Sequence, residues 1–261
     1  MEGVIDLPLW QMASAYIFVV ILLFIVRKRG ISREKEILIA SIRMTVQLTS
    51  VGYLLVYLFN NINPLNTIVV ITIMEAFAIH NIYKRTKSAI STSLKKIIAL
   101  SMVFGTVSTL VYFLLVVINL SPWYDPRYFI PIAGMLIGNS MTGISLGVTR
   151  LIDGMHSEKH LIESALMLGA TPKTAAKPIV DKAFDAAILP TINAMIGMGI
   201  VFLPGMMTGQ ILSGISPVTA IKYQIAIMLG ILGSVALTVI LFVQLGYQTF
   251  FNEEDQLITK D

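Results

Sequence analysis

Seven stretches of mainly apolar residues dominate the chain: Leu7–Val26, Ile37–Phe59, Thr67–Tyr83, Ile97–Leu120, Tyr128–Gly147, Ala186–Leu203 and Ile221–Leu245. A helix that crosses a bilayer needs about 20 such residues, so each stretch is long enough to span. A soluble core could not absorb them. Of 261 residues, 56% are hydrophobic and 13% charged, with a mean hydropathy of +0.80. That is more apolar surface than one water-soluble domain of this size can bury. Unpaired backbone groups are costly in hydrocarbon, and runs this long are not ten-residue alternating strands, so a helix bundle is expected rather than a barrel. The expected fold is all-α: one polytopic domain over residues 1–261 with about seven transmembrane helices, multi-pass in the inner or plasma membrane.

The absence of cysteine excludes disulfides, thiolate metal ligands and thiol nucleophiles. The first apolar stretch follows Glu2 and Asp6, precedes Arg27-Lys28-Arg29 and carries no small-residue cleavage site, so it is expected to remain as a span. The net charge of +4 calls for no nucleic-acid partner, because its distribution accounts for it. Five cations, Arg27 to Lys35, lie between spans one and two. Lys84, Arg85, Lys87, Lys95 and Lys96 lie between spans three and four, and Arg150, Lys159, Lys173, Lys177 and Lys182 between five and six. With Lys260, sixteen of nineteen cations sit on alternate connections; Arg43, Arg127 and Lys222 are the others. By the positive-inside rule these connections are cytoplasmic, which places the N-terminus outside and the C-terminus inside.

The outer connections, Asn60–Pro64 and Ser121–Pro126, are short and turn-rich, and Trp123 and Tyr124 suit an aromatic belt. The longest segment outside the spans runs over 150–185 and reads as two amphipathic helices. The first, near Ser157–Leu168, ends at Gly169. The second takes Thr171 as N-cap and Pro172 as its first residue, and Pro178 is expected to kink or break it. A further element, Leu203–Pro217 (LPGMMTGQILSGISP), is too apolar for an exposed loop and too interrupted for a regular spanning helix. It reads as a broken or re-entrant element lining a pathway, or as a packed hairpin at the outer surface.

No GxxxxGK[ST] phosphate loop occurs, so an ATP-driven permease of this sequence would depend on a separate ATPase. Mechanical coupling to such a chain needs a short cytoplasmic helix ended by a sharp turn. Glu163-Ser164-Ala165-Leu166-Met167-Leu168-Gly169 resembles the E-A-A-x-x-x-G coupling loop of ABC-transporter permeases. The wider pattern departs from ordinary importers: Pro178 and Ile179 are in place, Val180-Asp181-Lys182 replaces the rest, and Leu189-Pro190 comes ten residues late. Together, PIAGMLIGNSMTGISL (131–146), ESALMLGATPKTAA (163–176), AAILPTIN (186–193) and LPGMMTGQILSGISPVTAIKYQI (203–225) resemble the FetB-type iron-export ABC permeases of bacteria, which are related to a plant group linked to aluminium tolerance. The resemblance implies a homodimer working with two copies of a separate ATPase, which would hold ATP and Mg, and export of a metal ion or metal complex. It implies no cofactor on this chain. Glu163, Ala165, Gly169 and Thr171 would then form the coupling segment.

Among single residues, Glu75 is an intramembrane carboxylate, and such a group is expected to be functional or paired. Arg43 and Glu75 fall about 9 and 12 Å from the same boundary at 1.5 Å rise, so an ion pair between them is expected, with a metal or proton ligand as the other reading of Glu75. His80 could serve as a ligand admitting a divalent cation or as an interfacial anchor. His156, His160 and Glu163 share a helical spacing, but a polar face toward solvent or partner is expected of them rather than a metal site. Asn139, Ser140 and Thr142 and, on another span, Asn193 supply oxygens within the bundle, mostly as helix–helix contacts. Asn139, Met206, Met207 and Gln210 are the expected pathway lining. An intramembrane enzyme would need a nucleophile motif or paired aspartates, and an ion-coupled secondary transporter would be expected to show inverted repeats. Neither feature appears, which leaves a binding-protein-dependent importer as the main alternative to an exporter.

Overall fold

The computed structural model describes residues 6–86 and 90–258. Glu2, Lys87 and Lys260, invoked above for charge placement, lie outside them. Among the described residues the fold is helical, without strands. In chain order the helices are α1 (Leu9–Ser14), α2 (Ile17–Lys28), α3 (Glu34–Asn60), α4 (Pro64–Arg85), α5 (Thr92–Tyr112), α6 (Pro126–Ser157), α7 (Lys159–Met167), α8 (Pro172–Gly197), α9 (Gly205–Leu212) and α10 (Pro217–Gly246).

Among the described residues six helical segments are long and apolar enough to cross a membrane: α1–α2 taken together, α3, α4, α5 with its π-helical continuation Phe113–Val117, α6, and α10 with the 3₁₀ turn after it. The stretch expected as a span at Ala186–Leu203 differs. Its first part, to Gly197, is the apolar half of α8, which begins at Pro172, and Met198–Leu203 form the turn that follows the helix. The charged first half of α8, with Lys173, Lys177, Asp181 and Lys182, lowers the hydropathy of the whole helix. Pro178 does not break α8, and neither does Pro190. Each removes one backbone hydrogen bond, and the packing against α6 holds the helix together across both.

That packing is close because small residues permit it. A Cβ added at Gly154 would sit 2.5 Å from Ile179 Cγ2, and one at Gly143 would sit 2.8 Å from Val235 Cγ1. At Gly105 an added Cβ would overlap the Thr238 side chain and lie 2.7 Å from its Cα, so α5 and α10 touch backbone to backbone. The core is built from α4, α5, α6, α8 and α10, and its fully buried side chains include Ile98, Met102, Leu136, Ile144, Leu151 and Phe242. A polar link crosses it, with Ser140 Oγ of α6 and Ser234 Oγ of α10 2.9 Å apart, while the Thr238 hydroxyl donates within α10 to Ser234 O at 2.7 Å.

Helix polarity sets the two ends. Thr67 at the start of α4 donates to Tyr124 O just before α6, and Tyr83 at the end of α4 donates to Lys95 O at the start of α5. Successive antiparallel helices therefore return the α2–α3, α4–α5 and α6–α7–α8 connections, with their cations, to one end.

Candidate pathway and coupling elements

Glu75 sits midway along α4 and is 6% exposed. Its partner is Thr106 on α5, whose hydroxyl reaches Glu75 Oε2 at 3.2 Å and Met102 O at 2.7 Å, two acceptors for one hydrogen. The other carboxyl oxygen, Oε1, is buried without a hydrogen-bond partner. Arg43 does not supply one. Its guanidinium lies over the Phe77 ring, 5.1 Å from the centroid. Phe77 is two residues from Glu75, about 200° around a helix of 3.6 residues per turn, so the Arg43 contact and the Glu75 carboxylate lie on opposite faces of α4. The expected ion pair is thus replaced by a cation–π contact outside and a carboxylate–hydroxyl contact inside. Matching depth was not enough, because azimuth separates the two charges.

His80 is exposed, whereas Glu75 is buried, and five residues put them about 140° apart, so the two weak metal candidates do not converge. Among the described residues no group of three or more His, Asp or Glu side chains is placed to hold a metal ion.

Asn139 on α6 is exposed, its amide donating to Met135 O at 2.8 Å. Thr142 and Thr149 follow on the same exposed face, each hydroxyl donating to the carbonyl four residues back. Asn193 is exposed on α8. Ser140 alone of this group is buried, where it joins α6 to α10. The segment 203–217 folds as the short helix α9 between Pro204 and a turn in which Gly214 takes φ +88°, a conformation that favours glycine. Met207 is buried, Met206 is half-buried against the core, and Gln210 Oε1 is buried without a partner. No hydrogen bond joins Asn139 to Met206, Met207 or Gln210, and α9 packs chiefly on α10. Another amide missed in the sequence lies nearby: Gln224 of α10 is 7% exposed, with Nε2 3.9 Å from Met198 Sδ and Oε1 unpartnered.

At the cation-rich end, α6 breaks at Glu158 and α7 turns off it, so His156 and His160 are not on one continuous helix. Lys159 and His160 approach Glu163 at 3.8 and 4.0 Å, local contacts on one small helix. Gly169, at φ +86°, closes α7: its N–H donates to Leu166 O and that of Ala170 to Ala165 O, the paired bonds of a Schellman turn. Thr171 then caps α8 through Thr174 N at 3.4 Å. Two anchors fix α7 to the bundle, buried Ile162 and the 2.8 Å bond from Lys182 of α8 to Glu158. The tip is bare: Met167 is 86% exposed, Leu168 89% and Leu161 68%. Sequence reasoning found this loop by its Glu, Ala and Gly, but the exposed apolar tip appears only in the fold.

The comparisons with known proteins agree with this architecture. Residues 9–251 match the family model described as "Uncharacterised protein family (UPF0014)". The chain is 36% identical over 247 residues to the UPF0014 membrane protein YjkA of Bacillus subtilis, covering 95% of this chain and 97% of that one. It is 34% identical over 248 residues to the "Probable iron export permease protein FetB" of Escherichia coli, at 95% and 94% coverage. It is also 34% identical over 247 residues to the protein ALUMINUM SENSITIVE 3 of Arabidopsis thaliana, at 95% and 89% coverage. No solved structure matches the chain. With nearly its whole length matched by the family model and by these relatives, the chain belongs to the UPF0014 family, whose bacterial and plant members align with it across the entire helical bundle.

Proposed function

We propose that this chain is the membrane-spanning permease subunit of an ABC transporter that exports iron or another metal ion or complex from the cytoplasm. It would work as a homodimer with two copies of a separate ATPase. The observation that carries the reading is the tip of α7. Met167 and Leu168 are almost fully exposed at the cation-rich end, on a helix fixed to the bundle by Ile162 and Lys182. Apolar side chains held out on a short rigid helix fit the requirement of a surface that docks in a partner's groove. The cations gathered at that end support a cytoplasmic tip and an outer N-terminus under the positive-inside rule, with α8 running from the tip into the membrane. Export and iron rest on the name of the E. coli relative. Gln210, Gln224 and Glu75, each with a buried unpartnered oxygen, are the groups on which polar cargo would act.

The test uses inside-out vesicles containing the chain with its ATPase. ATP should drive vanadate-sensitive iron accumulation, and Met167→Glu with Leu168→Glu should lower it at least tenfold while membrane insertion is unchanged. Accumulation that persists without ATP hydrolysis, or that ignores the double variant, would overturn the assignment.

A further inference from the structure

A groove of about 680 Å³ runs along the outside of the bundle between α5 and α10. Tyr112, Phe113 and Val117 form one wall; Ala226, Gly230 and Gly233 form the other. Three features distinguish it from an ordinary seam between helices. Its α5 wall carries the π-helical segment Phe113–Val117, a local widening of the kind found at functional sites. Its α10 wall is opened at Gly233, where an added Cβ would meet nothing within 4 Å, whereas Gly230 seats the Phe113 ring. The hydroxyls of Ser108 and Thr109 are satisfied within α5, Ser108 donating to Phe104 O and Thr109 to Gly105 O, so the lining between them and Leu237 is mainly apolar.

At one end stands Lys222, the exception noted in the charge pattern, on the first turns of α10 and far from the cation-rich end. Among the described residues it has no ion-pair partner. The start of α10 lacks a side-chain cap, so the free N–H groups of its first turn leave that end of the helix positive, one turn before the lysine. Tyr112, 60% exposed, lines the groove deeper in, beside the level where Phe113 meets Gly230, about 12 Å along α10 from the lysine. From Lys222 to Leu237 the groove extends about 22 Å along α10, beyond the roughly 15 Å of hydrocarbon in one leaflet.

We infer that this groove is a binding site for an anionic phospholipid, with an acyl chain along the wall at Gly233 and the phosphate at Lys222. A second copy of the chain is a poorer occupant: a two-fold contact through this face would bring Lys222 toward its own copy. The inference requires only the membrane-spanning fold and stands apart from the transport assignment.

The experiment is native mass spectrometry of the full chain in mild detergent, with phosphatidylglycerol or phosphatidylcholine of the same acyl composition added. Phosphatidylglycerol should be retained about fivefold better, the contribution of one lysine at an anionic surface. Lys222→Gln should bring the ratio near one, and Lys222→Arg should preserve it. Gly233→Leu should displace both lipids without lowering the melting temperature. Equal retention of the two lipids by the native chain would overturn the inference. So would a Gly233→Leu protein that keeps its lipid, or one that converts from dimer to monomer with lipid binding intact, which would assign the groove to a second copy. If Gly233→Leu fails to fold, the Gln and Arg variants at Lys222 decide.

Discussion

Helices α3 and α6 have the same mean hydropathy, 1.4, over their most apolar windows, yet half of that window is buried in α6 and none of it in α3. In α3 the one buried side chain is Leu58, near its end. The difference lies in small residues. Helix α6 carries Gly134, Gly138, Gly143, Gly147 and Gly154, several of them against α8 or α10, whereas α3 has Gly52 with nothing near it. In a bilayer, lipid tails are as apolar as leucine, so hydropathy decides what may enter the membrane and close approach decides what packs there. The α2–α3 hairpin is therefore a lipid-compatible flank, and the α5–α6–α8–α10 group is the mechanical body.

The sharpest way to break this contrast is a pair of glycine substitutions. Gly105→Val should destabilise the detergent-solubilised protein by about 3 kcal/mol or more, because the clash is with Thr238 backbone and no rotamer relieves it. Gly52→Val, in open space, should leave the unfolding midpoint within error. Similar losses from both would mean that the hairpin is packed as tightly as the body.

A smaller effect belongs to the buried carboxylate. Thr106→Val leaves Glu75 without a donor and should cost about 1–3 kcal/mol, and the loss should be partly recovered in a Glu75→Leu, Thr106→Val double variant. A double-variant cycle in equilibrium unfolding reads the coupling, and strict additivity would show that the two groups do not depend on each other.

The smallest effect should come from Arg43→Gln, which removes an exposed cation–π contact worth under about 1 kcal/mol and should add to Glu75→Gln without coupling. Measurable coupling would restore the ion pair that the structure replaces.

Much of this was legible in the sequence. Apolar run length gave the helices, and the Gly169 and Thr171 signals gave the α7–α8 corner, because turn chemistry is local. Glu75 was legible as an unusual group, but its partner was not. Spacing along a helix fixes depth, while the choice between Arg43 and Thr106 depends on which face of α4 meets which neighbour. The continuity of α8 was hidden for a related reason. Pro178 and the charged first half look like an end when read locally, and only the packing of Ala183 and Ala187 beside Gly147 shows one helix passing through.

That continuity turns α8 into a rod. Its 26 residues extend about 39 Å from the corner at Thr171 to Met198, where the Gln224 amide lies. A tilt of only about 5° imposed at the α7 corner would carry the far end through about 3 Å by leverage alone. The missing backbone bonds at Pro178 and Pro190 mark the two levels at which such a rod flexes most easily, so a push at one end of the bundle arrives at the other as a graded bend.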